Sequence, residues 1–174
     1  MEDDLLKGLA AGDTAAYQRV YDCFGSTLYR TAVRMLGSHQ DAEDAVQEVF
    51  AAIVRSRGRL AHVADMKAYL FASLRHVAGR IHRRRQQYAM SGLDETHWPN
   101  NRQSEDGETA ERLWDVVRRL PAEQREVLAL KIQGELTFKE IGAVCGISPN
   151  TAASRYRYAL DKLKQMMETQ DDEQ

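Results

Sequence analysis

The chain has 174 residues, enough to bury one ordinary core or two small ones. Hydrophobic residues make up 43% and charged residues 29%, a balance that excludes the disordered and fibrous classes. A formal net charge of −2 withholds the basic excess of most autonomous nucleic-acid binders, so the placement of charge has to carry any such role.

No apolar run nears the roughly 20 residues that cross a bilayer, and the start Met1-Glu2-Asp3-Asp4 is acidic where a secretory signal is basic. A cytoplasmic location is expected. Cys23 and Cys145 stand far apart with no second Cys or His at zinc-finger spacing. Both are expected to be buried thiols, and neither a disulfide, a metal nor another cofactor is anticipated.

In chain order, the first helix is marked by Tyr17, Val20, Tyr21, Phe24, Leu28, Ala32 and Met35, spaced to share an inner face before Gly37 stops it. Ser38 with Asp41 then caps a second helix. Its Ala42, Ala45, Val46, Val49, Phe50 and Ile53 turn inward, and Asp44, Gln47 and Glu48 turn outward. A loop from Gly58 to Asp65 leads to a third helix. There Met66, Tyr69, Leu70, Leu74, Val77 and Ile81 face the core, and the helix runs into Arg83-Arg84-Arg85.

Helical periodicity lapses from Gln86 to about Thr109, where Ser91, Gly92, Pro99, Asn100 and Gly107 collect. It returns with Leu113, Trp114, Val117 and Leu120, breaks at Pro121, and resumes with Val127, Leu128 and Ile132 before Gly134. The fold class is therefore all-α, with two small helical domains over residues 1–86 and 110–167 and a flexible linker over 87–109. Residues 168–174 have no apolar partners and are expected to fray as an acidic tail.

The stretch from Thr137 to Ala152 has the layout of a helix-turn-helix. Thr137 and Glu140 form a capping box, Ile141 and Val144 face inward, and Gly142 permits close approach of the second helix. Gly146 supplies the left-handed turn residue, and Ser148 caps a helix that has Pro149 in its first turn. Ala152, Tyr156, Ala159 and Leu163 of that helix face the core, leaving Asn150, Ala153, Ser154 and Arg157 to reach base edges in a major groove. Lys139, Arg155 and Arg157 are candidates for phosphates. An ordinary αα-corner with solvated polar residues is the plainer alternative.

The segment Leu120 to Leu128, followed by Thr137 to Leu163, resembles region four of extracytoplasmic-function sigma factors. Asp41 to Phe50, and Lys67 to Phe71 leading to Arg83-Arg84-Arg85, resemble their region two. The matches cover most of the chain, and their order and spacing fit one family jointly.

The resemblance implies a factor that binds core RNA polymerase and directs promoter recognition, with no catalysis of its own. Residues 1–86 would bind polymerase and recognise and melt the minus-ten element. Asp41, Asp44, Gln47 and Glu48 would contact the clamp coiled coil of the largest subunit. His62, Lys67, Arg75, His76, Arg80, Arg83 and Arg84 would contact the minus-ten element. His76 stands where Asn is usual and Arg80 where an acid is common, and Tyr69 replaces a common Trp and is assigned to core packing.

Residues 110–167 would read the minus-thirty-five element through Lys139, Pro149, Asn150, Thr151, Ala153, Ser154, Arg155 and Arg157. This domain would also meet the flap of the second-largest subunit. An anti-sigma protein is a further partner implied by analogy. Two rival readings are a stand-alone helix-turn-helix regulator, which would normally dimerise, and a helical metal-dependent hydrolase using His39, Asp41, Glu43 and Asp44. Acids crowded at a helix start are favoured by the helix dipole alone, which argues against the hydrolase.

Overall fold

The computed structural model describes residues 2–60, 62–90 and 116–172, and among them every regular element is a helix. The chain forms two compact units. The first contains α1 (Glu2–Ala11), α2 (Thr14–Leu36), α3 (His39–Arg55), α4 (Arg57–Leu60) and α5 (Met66–Met90). The second contains α6 (Ala122–Ile132), α7 (Phe138–Cys145) and α8 (Pro149–Asp172).

Helix α1 was not anticipated, because its apolar residues are few and hidden among acids and glycine. Leu6 and Leu9 are buried, and the Tyr17 hydroxyl donates to the Leu9 carbonyl at 3.0 Å, tying α1 to α2. A Cβ on Gly8 would come within 2.9 Å of Ala16 Cβ, so the glycine allows the two backbones to close together. Asp13 then starts α2, its carboxylate accepting from the Ala15 amide at 3.0 Å.

Helix α2 ends at Gly37 (φ 67°), as its glycine predicts, and Ser38 caps α3 by accepting from the Asp41 amide at 3.2 Å. Helices α2, α3 and α5 pack on one another around Leu28, Ala45, Val49, Ile53, Phe71 and Leu74. Close packing of these side chains, at up to about 3 kcal/mol for each large one buried, is what holds three amphipathic helices together.

Three expectations for the first unit need correction. Tyr21 is 55% exposed, because it lies at the rim of the α2–α3 seam against Phe50 (ring centroids 5.1 Å apart) rather than inside the bundle. Cys23 is exposed, whereas Cys145 is buried as expected. The loop predicted over Gly58 to Asp65 is shortened at its start by α4, whose Leu60 is buried where α4 packs on α1. Tyr69 is half-buried, its hydroxyl 3.4 Å from Ser56 Oγ.

Helix α5 continues through Met90, and the remainder of the stretch read as linker lies outside the described residues, as do Leu113 and Trp114. In the second unit, Val116, Val117 and Leu120 meet Leu128, Ala159 and Leu163. Arg125 is buried and donates from Nη1 to the Arg118 carbonyl at 3.1 Å, satisfying the end of a helical turn over 116–118. Burial pushes its pKa down. The backbone of α8 stays helical to Asp172, four residues past the point where fraying was expected to begin. Lys164 and Glu168 pair along it at 3.9 Å.

Candidate nucleic-acid interface

Thr137 and Glu140 form the expected box at the start of α7: Thr137 Oγ1 accepts from the Glu140 amide at 3.2 Å, and Glu140 Oε2 accepts from the Thr137 amide at 2.6 Å. Gly146 (φ 68°) turns the chain, and Ser148 Oγ accepts from the Thr151 amide at 3.0 Å to start α8. At Gly142 a Cβ would lie 2.8 Å from the Ile147 carbonyl oxygen and 3.3 Å from Pro149 N. The absent side chain is what lets the second helix begin so close to the first.

Helix α8 then divides by face. Ala152, Ala159 and Leu163 are buried, and Tyr156 lies against Phe138 with ring centroids 5.6 Å apart. Lys131 Nζ sits 5.0 Å from the centre of the Phe138 ring, a cation–π contact that steadies the base of the helix pair. Pro149, Asn150, Thr151 and Arg157 are exposed, as is Lys139 on α7, and Ala153 and Ser154 are half-buried. Arg157 Nη2 donates to Ser154 Oγ at 3.3 Å, so these two side chains stand together on the outward line that begins at Asn150.

Two features of this face were not read from the sequence. Asp161 is exposed one turn beyond Arg157 on the same line, placing an acid where the basic surface ends. Arg155 is turned instead toward α6, its Nη2 2.7 Å from Glu123 Oε2. Sequence spacing identifies a helix face but not a partner 32 positions away.

On the first unit, Asp44 and Gln47 are exposed on α3. Glu48 instead pairs with Arg80 on α5, and Asp41 pairs with Arg85, whose Nη1 also donates to the Leu36 carbonyl at 3.2 Å. The candidate polymerase residues thus fall into two outward side chains and two that brace α3 against α5. Between α2 and α3 runs a groove of about 660 Å³ lined by Tyr21, Tyr29, Val46 and Phe50, with Asp22, Glu43 and Gln47 among its polar residues. Sequence reasoning missed this groove, because apolar residues at helical spacing look alike whether they line a core or a cleft.

Above one end of the groove, the Tyr29 hydroxyl and His39 Nδ1 share a hydrogen bond of 2.6 Å. Burial, and then the nearby Glu43 carboxylate, push the Tyr29 pKa up. His39 and Asp41, both named in the hydrolase reading, have different partners, Tyr29 and Arg85.

His76, Arg80, Arg83 and Arg84 are exposed along one face of α5, one or two turns apart. Lys67 and Arg75 are half-buried nearer its start, and His62 is exposed in the segment before it. Arg34, in the last turn of α2, has its pKa lowered to about 10 by burial. No helix among the described residues is long and apolar enough to cross a membrane.

The sigma-70 region 2 model matches residues 20–88, and the sigma-70 region 4 model matches residues 110–163. The chain is 30% identical over 138 residues to the RNA polymerase sigma factor CarQ of Myxococcus xanthus, covering 77% of this chain and 79% of that one. It is 28% identical to the RNA polymerase sigma-E factor of Streptomyces antibioticus, covering 94% and 91%. It is 27% identical to the ECF RNA polymerase sigma factor SigL of Mycobacterium tuberculosis, covering 91% and 93%.

Among solved structures, it is similar to CnrH in complex with the cytosolic domain of CnrY (TM-score 0.71, 22% identity, 96% of this chain and 97% of that chain). It is also similar to the sigma factor RpoE in complex with the anti-sigma factor NepR from Bartonella quintana (TM-score 0.72, 22% identity, 87% and 96%). These two likenesses establish the fold.

Proposed function

The chain belongs to the extracytoplasmic-function sigma factors of the sigma-70 family, and we infer from this how its two units share the work of bringing core RNA polymerase to a promoter. The first unit holds the polymerase and opens the minus-ten element, and the second reads the minus-thirty-five element. The observation that carries the reading is the doubly capped helix pair with Asn150, Ser154 and Arg157 directed outward from a helix whose opposite face is buried.

An α-helix fits the major groove, where Asn and Arg side chains match the donor and acceptor patterns of adenine and guanine. Lys139 and Arg157 supply charge for phosphates. On the first unit, Asp44 and Gln47 present the surface for the clamp coiled coil by charge-assisted hydrogen bonds, and Asp41 and Glu48 support that surface by fixing α3 to α5. The basic face of α5, with His76, Arg80, Arg83 and Arg84, follows the displaced strand. His62, Lys67 and Arg75 stand at its approach.

Melting proceeds without nucleotide hydrolysis by the factor, because captured bases and neutralised phosphates offset the cost of unstacking. A net charge of −2 leaves free DNA weakly attracted. Useful affinity arises when polymerase holds both units over one promoter and raises the effective concentration of each for its element. By the same chemistry an anti-sigma protein would act by covering these two surfaces.

Reconstitution with core polymerase tests the reading directly. The expected result is a stable 1:1 complex that opens a promoter and yields run-off transcript. A homodimer that ignores polymerase and binds a palindromic duplex would replace it with the stand-alone regulator.

A further inference from the structure

Arg155 lies within the recognition helix yet off its reading line. At about 100° per residue, Ser154 and Arg157 fall within about 40° of Asn150, whereas Arg155 stands about 140° away. Its side chain is 26% exposed and reaches Glu123 in the first turn of α6, with Nη2 and Oε2 2.7 Å apart. The helix dipole favours a carboxylate at that position, which places Glu123 to receive the guanidinium. A phosphate lying across α8 would have to displace this carboxylate before it could use Arg155.

We propose that Arg155 is a positioning residue: together with Glu123 it fixes the tilt of the recognition helix against α6, and it takes no part in phosphate binding. The proposal rests on the helix-turn-helix reading and refines it, leaving Lys139 and Arg157 as the cations of that surface. Because α6 and α8 also share the core formed by Leu128, Ala159 and Leu163, the pair acts at the edge of a seam that is already packed. Its effect is to select one orientation of the helix, with only a small share in holding the unit together.

The test uses the full chain in holoenzyme and the promoter duplex that the wild-type holoenzyme selects from a pool randomised in its upstream element. Affinity is measured against salt for wild type, Arg155→Ala, Glu123→Ala and the double variant. The expected result is a loss of about two- to five-fold for each single variant, no further loss for the double, and an unchanged salt slope.

A phosphate contact would give the opposite pattern. Arg155→Ala would reduce the slope by about 0.9, and Glu123→Ala would tighten binding by releasing the arginine. Either result overturns the proposal, as would single variants that bind like wild type.

Thermal unfolding of the same four full-length proteins provides a readout without DNA, with an expected coupling of about two- to five-fold in the unfolding equilibrium. Independent effects would overturn the strut. If no duplex were selected and Arg157→Ala changed nothing, the promoter-reading assignment would fall by itself, and the unfolding cycle would still decide whether Glu123 and Arg155 act together.

Discussion

Replacing Gly142 with Ala perturbs the closest approach in the helix-turn-helix. The new Cβ would meet the Ile147 carbonyl oxygen at 2.8 Å and Pro149 N at 3.3 Å, both backbone atoms that cannot rotate away. Relief requires the start of α8 to move off α7 by several tenths of an ångström. Overpacking of this kind costs about 1–3 kcal/mol, and the better helix propensity of Ala returns about 0.5–1 kcal/mol. A net loss of about 1–2 kcal/mol follows, or roughly 5–10 °C in the melting of a unit of this size.

Hydrogen exchange locates the damage: amides of α7 and α8 should lose protection while those of α2 and α3 keep theirs. Gly79→Ala is the internal control, since its Cβ meets only the end of the Arg83 side chain at 3.7 Å. That variant should gain about 0.5–1 kcal/mol. A Gly142→Ala protein as stable as the Gly79→Ala protein would refute the close-approach argument.

Other outcomes follow from the same geometry. Arg157→Ala should cost about 1–3 kcal/mol on the preferred upstream element if the guanidinium reads a base, and a loss equal on all sequences would identify a phosphate contact instead. Gln47→Ala with Glu48→Ala should weaken holoenzyme formation in a pull-down while the circular dichroism spectrum stays helical, and an undiminished complex would remove that surface from the polymerase interface. Ser38→Ala removes the α3 cap and should lower stability by about 0.5–2 kcal/mol in urea unfolding.

Tyr29 has a folded pKa raised above its ordinary value of 10.0, so the stability it contributes is complete below that pH and is lost as pH climbs toward the folded value. Tyr29→Phe should therefore flatten the alkaline decline of the urea midpoint. An identical decline would assign that pH dependence to other groups.

Much of the architecture was legible because capping and periodicity are local. Gly37, Ser38, Thr137, Gly146 and Ser148 each do in space what their neighbours in sequence imply. Helix α1 escaped because its buried leucines among the described residues, Leu6 and Leu9, are a single pair that carries no period. The candidate surfaces were legible by face but not by partner: nothing near Arg155 in the sequence identifies Glu123, and nothing near Glu48 identifies Arg80. Tyr21 shows the same limit from the apolar side, since helical spacing assigns it to the interior and only the α2–α3 cleft explains its exposure.

Helix α8 closes the core of its unit through Ala152, Ala159 and Leu163 while its other side carries Asn150, Ser154 and Arg157. One rod is thus keystone on its hidden side and, under the proposed reading, stylus on the other. A methyl group added at Ala159, which is completely enclosed, would rotate the writing edge as it strained the vault. Under the proposed reading, variation in the hidden residues of this helix would then retune which promoters are read without altering any outward side chain.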